Sequence, residues 1–207
     1  MPISLCHKCI YIHIPKCAGS AFERVLQINK RNKKQLHGPD GQGDFLQHYT
    51  LLQIENYMKE NLPDTDINSY YTFAIVRNPY SKLVSDFAWC KRWFKHKWLI
   101  ADSQKVGFSS FEEYIRFIQT VGVETWSHFR PQYKFVEGAM FCNIFHLEKL
   151  KQCYPHIKTE LKLDSDLPMV NRSRHKPWRT YYTPELFAIV NELYSKDFEL
   201  FGYKKIT

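Results

Sequence analysis

The sequence predicts an α/β fold with a mostly parallel sheet, and three observations support this prediction. Short apolar segments rich in β-branched and aromatic residues, typical of buried strands, begin near Ile10, Tyr70 and Phe141. The first two are followed by segments whose apolar residues recur with helical spacing. Alternation of strands and helices favours a layered fold with a parallel sheet. Ligands in such folds bind at the carboxyl ends of strands, so we expect function in the loops that follow them.

The segment 10–26 combines a strand, a tight loop and a helix. We expect Pro15 to end the strand, because proline has no N–H to donate to a sheet. Ser20 and Glu23 have the spacing of a capping box, which predicts the start of a helix. A helix N-terminus is electropositive, and Lys16 adds a full charge just before it. This pattern predicts a site for phosphate or a related anion. It is not a Walker A loop, because the lysine precedes the glycine.

The segment 73–85 repeats the order of strand, turn and helix. Asn78 is expected to cap the helix with Pro79 at its first position. Arg77 then lies at the end of the strand, and Ser85 lies two turns into the helix. The alternative for Arg77 is an ordinary salt bridge at the strand end. Because both segments follow strand ends, we expect them to serve one ligand.

The rest of the chain is predicted from hydrophobic spacing and from helix start and stop signals. Residues 155–182 are expected to be mostly loop, and Phe141 to Leu147 are expected to form a third strand. The predicted helices run from about His48 to just before Pro63, from Asn78 through the Trp- and Lys-rich segment to Trp98, from a cap at Ser109 or Ser110 to Gln119, and from Thr183 to about Leu200.

Length and composition indicate one domain over residues 1–207 and an anionic partner. The 29 Lys and Arg residues exceed the 21 Asp and Glu residues, which gives a formal net charge of +8 at pH 7. No apolar run approaches the length of a membrane span, and the N-terminus has no signal-peptide core. We therefore expect a cytoplasmic protein, although a Golgi enzyme without its anchor would have the same composition. Cys6 and Cys9 have zinc-ligand or redox spacing, but no second pair follows, so we favour cysteines at the start of a strand.

The two strand–loop–helix segments together resemble the phosphate-binding segments of sulfotransferases that use 3′-phosphoadenosine 5′-phosphosulfate (PAPS). The most similar branch is that of heparan sulfate 2-O-sulfotransferase and its bacterial relatives. It carries P-K-T-G-G-T-S after the first strand and V-R-N-P-Y-x-R-L-V-S later, which match residues 15–21 and 76–85. The resemblance runs from Ile10 to Tyr203. It implies a P-loop-NTPase-like three-layer sandwich, with a central mostly parallel sheet flanked by helices, in a single sulfotransferase domain.

The resemblance also implies an activity and a donor site. The enzyme would transfer a sulfuryl group from PAPS to a hydroxyl or an amine of a carbohydrate or small molecule, and release adenosine 3′,5′-bisphosphate (PAP). Cys17 stands where the family has threonine, so that hydroxyl is lost, while backbone N–H groups can still hold the anion. No metal ion is expected, because the lysine and the helix ends supply the positive charge. The implied donor ligands are Lys16, Cys17, Ala18, Gly19, Ser20 and Ala21 for the phosphosulfate, Arg77 and Ser85 for the 3′-phosphate, and Asn171, Ser173 and Arg174 near the nucleotide.

The acceptor hydroxyl needs a general base, and the family uses a histidine between the two phosphate segments. His48 precedes a predicted helix and is our choice, with His37 as the alternative. Lys16 would be the second catalytic residue and would stabilise the negative charge on the leaving phosphate. His128, Arg130 and Gln132 match a family segment near the acceptor, although a loop anchor explains them almost as well.

Three other functions stay open at this stage. A small-molecule kinase would need a Walker lysine, which is absent. A basic nucleic-acid-binding protein would suit the charge and the Trp- and Lys-rich segment 89–98, but not two anion-binding loops. A PAP-binding but inactive homologue is allowed by Cys17. Our expectation is a small-molecule or oligosaccharide acceptor, with no nucleic-acid or membrane partner; the sequence does not indicate an oligomeric state.

Overall fold

The computed structural model describes residues 3–28, 37–41, 45–93, 98–100, 104–138, 142–168, 170 and 175–207, and for 93, 98–100 and 104–106 only the backbone. The chain divides into two compact units. The first contains Met1–Val76 and Lys134–Asn171, and the second contains Arg77–Tyr133 and Arg172–Thr207. The single domain over residues 1–207 stays a prediction.

The first unit is built on a four-stranded sheet in the order β1-β2-β3-β6. β2, β3 and β6 run parallel, whereas β1 pairs with β2 in antiparallel orientation. The predicted α/β class with a mostly parallel sheet is therefore confirmed. β1 was not predicted, because two residues are too few to show a strand pattern. The strands are β1 Ile3–Ser4, β2 Cys9–Ile12, β3 Tyr71–Val76 and β6 Asn143–His146.

The central strands are buried on both faces, which explains their continuous apolar sequence. Every residue of β2 is fully buried, and so are the last four residues of β3. The rings of Tyr11, Phe22 and Phe73 pack together at centroid distances of 4.9 to 5.3 Å. In register, Ile12 of β2 lies opposite Ala74 of β3, so both strands end at the same edge of the sheet.

The helices of the first unit correct two predictions. α2 begins at Leu51 because Thr50 and Gln53 form a capping box, so His48 lies in the preceding 3-10 turn Leu46–His48. α6 occupies part of the region expected to be loop, although Pro155 lies inside it. The helices are α1 Gly19–Val25, α2 Leu51–Asn61 and α6 Leu150–Glu160, and the short α5 Tyr133–Val136 lies at the boundary between the units.

The second unit is mainly helical, and local capping signals predicted it well. The side chain of Asn78 accepts hydrogen bonds from the N–H groups of Tyr80 and Ser81, and Ser110 accepts one from Glu113. Both predicted caps are therefore confirmed. Its elements are α3 Pro79–Trp93, β4 Trp98–Ile100, β5 Gln104–Val106, α4 Phe111–Val121, α7 Pro184–Leu193 and α8 Ser195–Leu200.

Two predicted helices of this unit are too long. α3 ends at Trp93, and Trp98 lies in a strand that pairs with β5. The last helix is interrupted at Tyr194, whose hydroxyl donates to the carbonyl of Phe129. Val190, Tyr194 and Phe198 are four residues apart, so the apolar spacing stays helical across the interruption and does not reveal it.

Candidate functional site

The loop after β2 has an unusual backbone. Lys16 and Ala18 both adopt left-handed conformations, with φ of 67° and 65°. α1 begins at Gly19 with Ala18 as its N-cap, and no side chain caps it. The predicted capping box of Ser20 and Glu23 is therefore wrong. Loops with residues of alternating hand turn successive N–H groups toward one concavity, which favours an anion.

The loop is held from inside by Tyr11 and Cys17. The hydroxyl of Tyr11 donates to the carbonyl of Cys17 at 2.8 Å, and the buried Cys17 thiol donates to the carbonyl of Pro15 at 3.5 Å. The N–H of Cys17 donates to Ile14, and that of Ala21 donates to Ala18. These two amides thus stabilise the loop. Of the predicted loop ligands, Lys16, Ala18 and Ser20 are half-buried.

Gly19 is required by a close approach between the start of α1 and His13. A Cβ atom built on Gly19 would lie 1.6 Å from Nε2 of His13 and 2.1 Å from Cδ2. The imidazole ring of His13 therefore occupies the space that any other side chain would need. Nothing in the sequence indicated this contact between His13 and the loop.

Two histidines of the first unit contact Glu23, and a third packs against one of them. Nδ1 of His13 lies 3.0 Å from Oε1 of Glu23, and Nε2 of His37 lies 3.6 Å from the same oxygen. The ring of His48 meets that of His13 edge-on, with centroids 4.7 Å apart. The predicted base, its alternative and the anion loop thus belong to one cluster.

The protonation of one nitrogen of His48 follows from its hydrogen bond. Nδ1 lies 3.0 Å from the backbone carbonyl of His13. A carbonyl oxygen only accepts, so Nδ1 carries the hydrogen. In the neutral ring this leaves the lone pair on Nε2, which is the arrangement that a general base needs.

Glu23 is a buried carboxylate held in its charged form. Burial alone would raise its pKa, but the contacts with His13 and His37 outweigh that effect and place the pKa far below its ordinary value. Such a group stabilises the fold above its unfolded pKa, and the contribution is lost as the pH falls.

We expect Glu23→Gln to lower the free energy of unfolding by about 3 kcal/mol at pH 7. The difference from the wild type should shrink below about pH 4.5, the ordinary pKa of the group, because the wild type then begins to lose the same contribution. Urea unfolding between pH 7 and pH 3 measures it. Glu60→Gln, on the exposed part of α2, is the matched control and should change stability by less than about 0.5 kcal/mol. A constant difference at all pH values would contradict this account.

In the second unit, a serine on the helix after β3 orients the guanidinium of Arg77. Its Nε donates to the hydroxyl of Ser81 at 2.9 Å, and that hydroxyl donates to the carbonyl of Asn78 at 3.2 Å. Ser81 and Ser85 are both buried and lie one turn apart on α3. Arg77 is half-buried and held in a fixed orientation before any ligand binds.

His128 is held by contacts with four residues. Its Nδ1 lies 2.6 Å from Oδ1 of the fully buried Asp86, and its ring stacks on Trp126 at 4.1 Å and on Trp89 at 4.9 Å. The buried Lys82 donates to its carbonyl. This geometry favours the loop anchor that the sequence left open.

Asp86 and Lys82 were missed by sequence reasoning, since charged residues on a helix usually face solvent. Tyr114 donates to the other oxygen of Asp86, so each carboxylate oxygen has a partner. Arg130, predicted to contact the acceptor, has its Nε bonded to Glu124 at 3.2 Å. The side chain of Gln132 bonds to the backbone of Arg77.

Asn171, Ser173 and Arg174 lie outside the described residues. Within the described part of the chain, no group of three or more His, Cys, Asp or Glu side chains is arranged to hold a metal ion. Over the same residues, no helix is both long and apolar enough to cross a membrane.

These features define a class: an α/β protein with a cation-bearing, left-handed loop after one parallel strand and an oriented arginine after its neighbour. The model of the sulfotransferase family matches residues 3–204, and the chain belongs to this family. It is 21% identical over 243 aligned positions to Carbohydrate sulfotransferase 10 of Xenopus laevis. The match covers 97% of this chain and 66% of that relative, so the chain spans just under two thirds of the relative's length. No solved structure matches significantly.

Proposed function

We propose that the chain is a sulfotransferase that moves the sulfuryl group of PAPS to a hydroxyl or an amine of a carbohydrate or small molecule. The observation that carries the proposal is the loop after β2, where two left-handed residues, Lys16 and Ala18, follow a strand in a member of the sulfotransferase family. A loop of this shape and charge suits a doubly anionic group.

The phosphosulfate is assigned to Lys16, Ala18, Gly19 and Ser20. The amides of Cys17 and Ala21 bond within the loop, so these residues shape the site rather than supply its N–H donors. Negative charge grows on the bridging oxygen as the S–O bond breaks. A lysine beside that oxygen stabilises the transition state more than the ground state.

The 3′-phosphate is assigned to Arg77 and Ser85. The oriented guanidinium of Arg77 supports this, because a fixed planar donor loses little freedom when it binds a phosphate. Asn171, Ser173 and Arg174 stay proposed ligands from the sequence alone.

His48 is the proposed general base. Its Nε2 receives the proton of the acceptor hydroxyl as the acceptor oxygen bonds to sulfur. At the same time the bond from sulfur to the phosphate oxygen breaks, and PAP leaves. The hydrogen bond from Nδ1 to the His13 carbonyl supports the required protonation state.

The acceptor is proposed to be a small molecule or a short oligosaccharide. The name of the matched relative, Carbohydrate sulfotransferase 10, supports a carbohydrate. Independence from metal ions, a cytoplasmic location and the lack of nucleic-acid or membrane partners stay predictions. The inactive PAP-binding homologue, the basic nucleic-acid-binding protein and the kinase are the alternatives that the first experiment separates.

We expect calorimetric titration to give micromolar affinity for PAP and no measurable binding of ATP or ADP at the same concentrations. Arg77→Ala should weaken PAP binding by about 30-fold, because it removes a charge-assisted hydrogen bond to phosphate. The matched control is Arg116→Ala, on α4 of the same unit, where an exposed arginine pairs with Glu112 and Glu185. It should leave PAP affinity within about twofold.

Equal affinity for PAP and ADP would contradict the donor assignment, and preference for ATP would favour the kinase. Salt-dependent DNA binding without PAP binding would favour the nucleic-acid alternative. PAP binding with no transfer to any acceptor in a screen of hydroxylated sugars and phenols would favour the inactive homologue.

A further inference from the structure

Gln132 makes a two-point contact with the backbone of Arg77. The N–H of Arg77 donates to Oε1 of Gln132 at 2.8 Å, and Nε2 of Gln132 donates to the carbonyl of Arg77 at 2.7 Å. The two bonds together fix which end of the side-chain amide is oxygen. Gln132 is fully buried and lies 55 residues away in sequence, so this is a specific tertiary contact.

Asp197, at the start of α8, holds Gln132 in turn. Its Oδ2 accepts from the N–H of Gln132 at 2.8 Å and from the side-chain Nε2 at 3.3 Å, and its Oδ1 accepts from the N–H of Tyr133 at 2.9 Å. Asp197 is also fully buried. A buried carboxylate with three N–H donors is a rigid anchor, since moving it would leave a charge without partners.

Arg77 is thereby held at two points. Its backbone is fixed by Gln132, and its guanidinium is oriented by Ser81 through the bond at Nε. These three residues and Asp197 all belong to the second unit. A cation that is oriented before the ligand arrives loses less conformational entropy on binding than a mobile one.

We propose that Gln132 and Asp197 are positioning residues that give the site its selectivity for a nucleotide with a 3′-phosphate, by fixing Arg77. The inference rests on the proposed function, in which Arg77 binds that phosphate. It replaces the acceptor contact that the sequence suggested for Gln132.

The test compares affinities for PAP and adenosine 5′-monophosphate (AMP), which differ only in the 3′-phosphate. Gln132→Met keeps the length and volume of the side chain but removes both bonds to Arg77. It should lower PAP affinity about tenfold and leave AMP affinity within about twofold. Asp197→Asn should lower the PAP-to-AMP ratio about threefold by weakening the anchor, and it carries the test if Gln132→Met does not fold.

A matched control and a double variant separate positioning from general loss of stability. Tyr194→Phe removes a buried hydrogen bond to Phe129 in the same loop without touching Arg77, and it should keep the wild-type ratio. In an Arg77→Ala background, Gln132→Met should change PAP affinity by less than about twofold, because the residue that it positions is gone.

Two results overturn the inference by itself: a wild-type PAP-to-AMP ratio in both Gln132→Met and Asp197→Asn, or a full tenfold effect of Gln132→Met in the Arg77→Ala background. A wild-type protein that binds PAP and AMP equally would overturn the proposed function and this inference with it. The two failures are therefore distinguishable.

Discussion

His48→Asn is expected to reduce the rate of sulfuryl transfer about 10³-fold while PAP affinity stays within about twofold. Asparagine is chosen because its amide nitrogen takes the place of Nδ1 and keeps the bond to the His13 carbonyl, which is 3.0 Å long in the wild type. The substitution therefore removes the basic nitrogen with limited disturbance of the cluster. Single-turnover rates with a competent acceptor, together with PAP titration, measure the two effects separately.

Substitutions of His37 and His156 show whether the loss of transfer rate is specific to His48. His37 contacts Glu23 at 3.6 Å and lies in the same cluster as His48, so both candidates are substituted. If His37→Asn abolishes transfer and His48→Asn does not, the base is His37. His156 is exposed on α6, and His156→Asn should leave the rate unchanged. A parallel loss of rate and PAP affinity in His48→Asn would indicate damage to the donor site instead of loss of a base.

The parts of the fold that the sequence predicted are those decided by nearby residues. β3 and α3 follow from a continuous apolar run and from the Asn78 and Pro79 start signal, and the structure contains both. α4 likewise follows from Ser110 and its stripe of apolar residues. In each case the physical cause lies within a few positions of the element that it defines.

The errors arise where a distant residue decides the local structure. Glu23 has the right spacing to cap α1, but its carboxylate pairs with His13 instead, and the helix starts at Gly19. A capping box and a buried ion pair compete for the same side chain, and only the fold shows which contact is made.

In the candidate site, too, features decided by nearby residues were predicted and contacts between distant residues were not. The anion loop and Arg77 were predicted because their residue types stand directly after strands. Gln132 was predicted to lie near the acceptor, and its contact with Arg77, which joins residues 55 positions apart, was not predicted. The burial of Asp86 and Asp197 could not be predicted from the sequence pattern, because acidic side chains usually face water.

Gly19→Ala is expected to disturb the anion loop strongly, because the added methyl group collides with the ring of His13. The new Cβ would lie 1.6 Å from Nε2 of His13 and 2.2 Å from Cε1, so the ring or the start of α1 must move. Either movement disturbs the 3.0 Å contact between His13 and Glu23. We expect the free energy of unfolding to fall by about 3 kcal/mol and transfer to slow at least about 100-fold.

Removing the His13 ring tests whether the clash with it causes the loss of stability in Gly19→Ala. His13→Ala alone should destabilise the protein, because Glu23 loses its nearest partner, but Gly19→Ala should then cost less than about 1 kcal/mol in the His13→Ala background. Ala18→Gly is the matched control: Ala18 has φ of 65°, which glycine adopts without strain, so this change should keep or raise stability. Chemical unfolding of the four His13 and Gly19 combinations gives the coupling energy. If the two substitutions are additive, the His13 ring is not what excludes a side chain at position 19, and the coupling inferred between the anion loop and the histidine cluster fails with it.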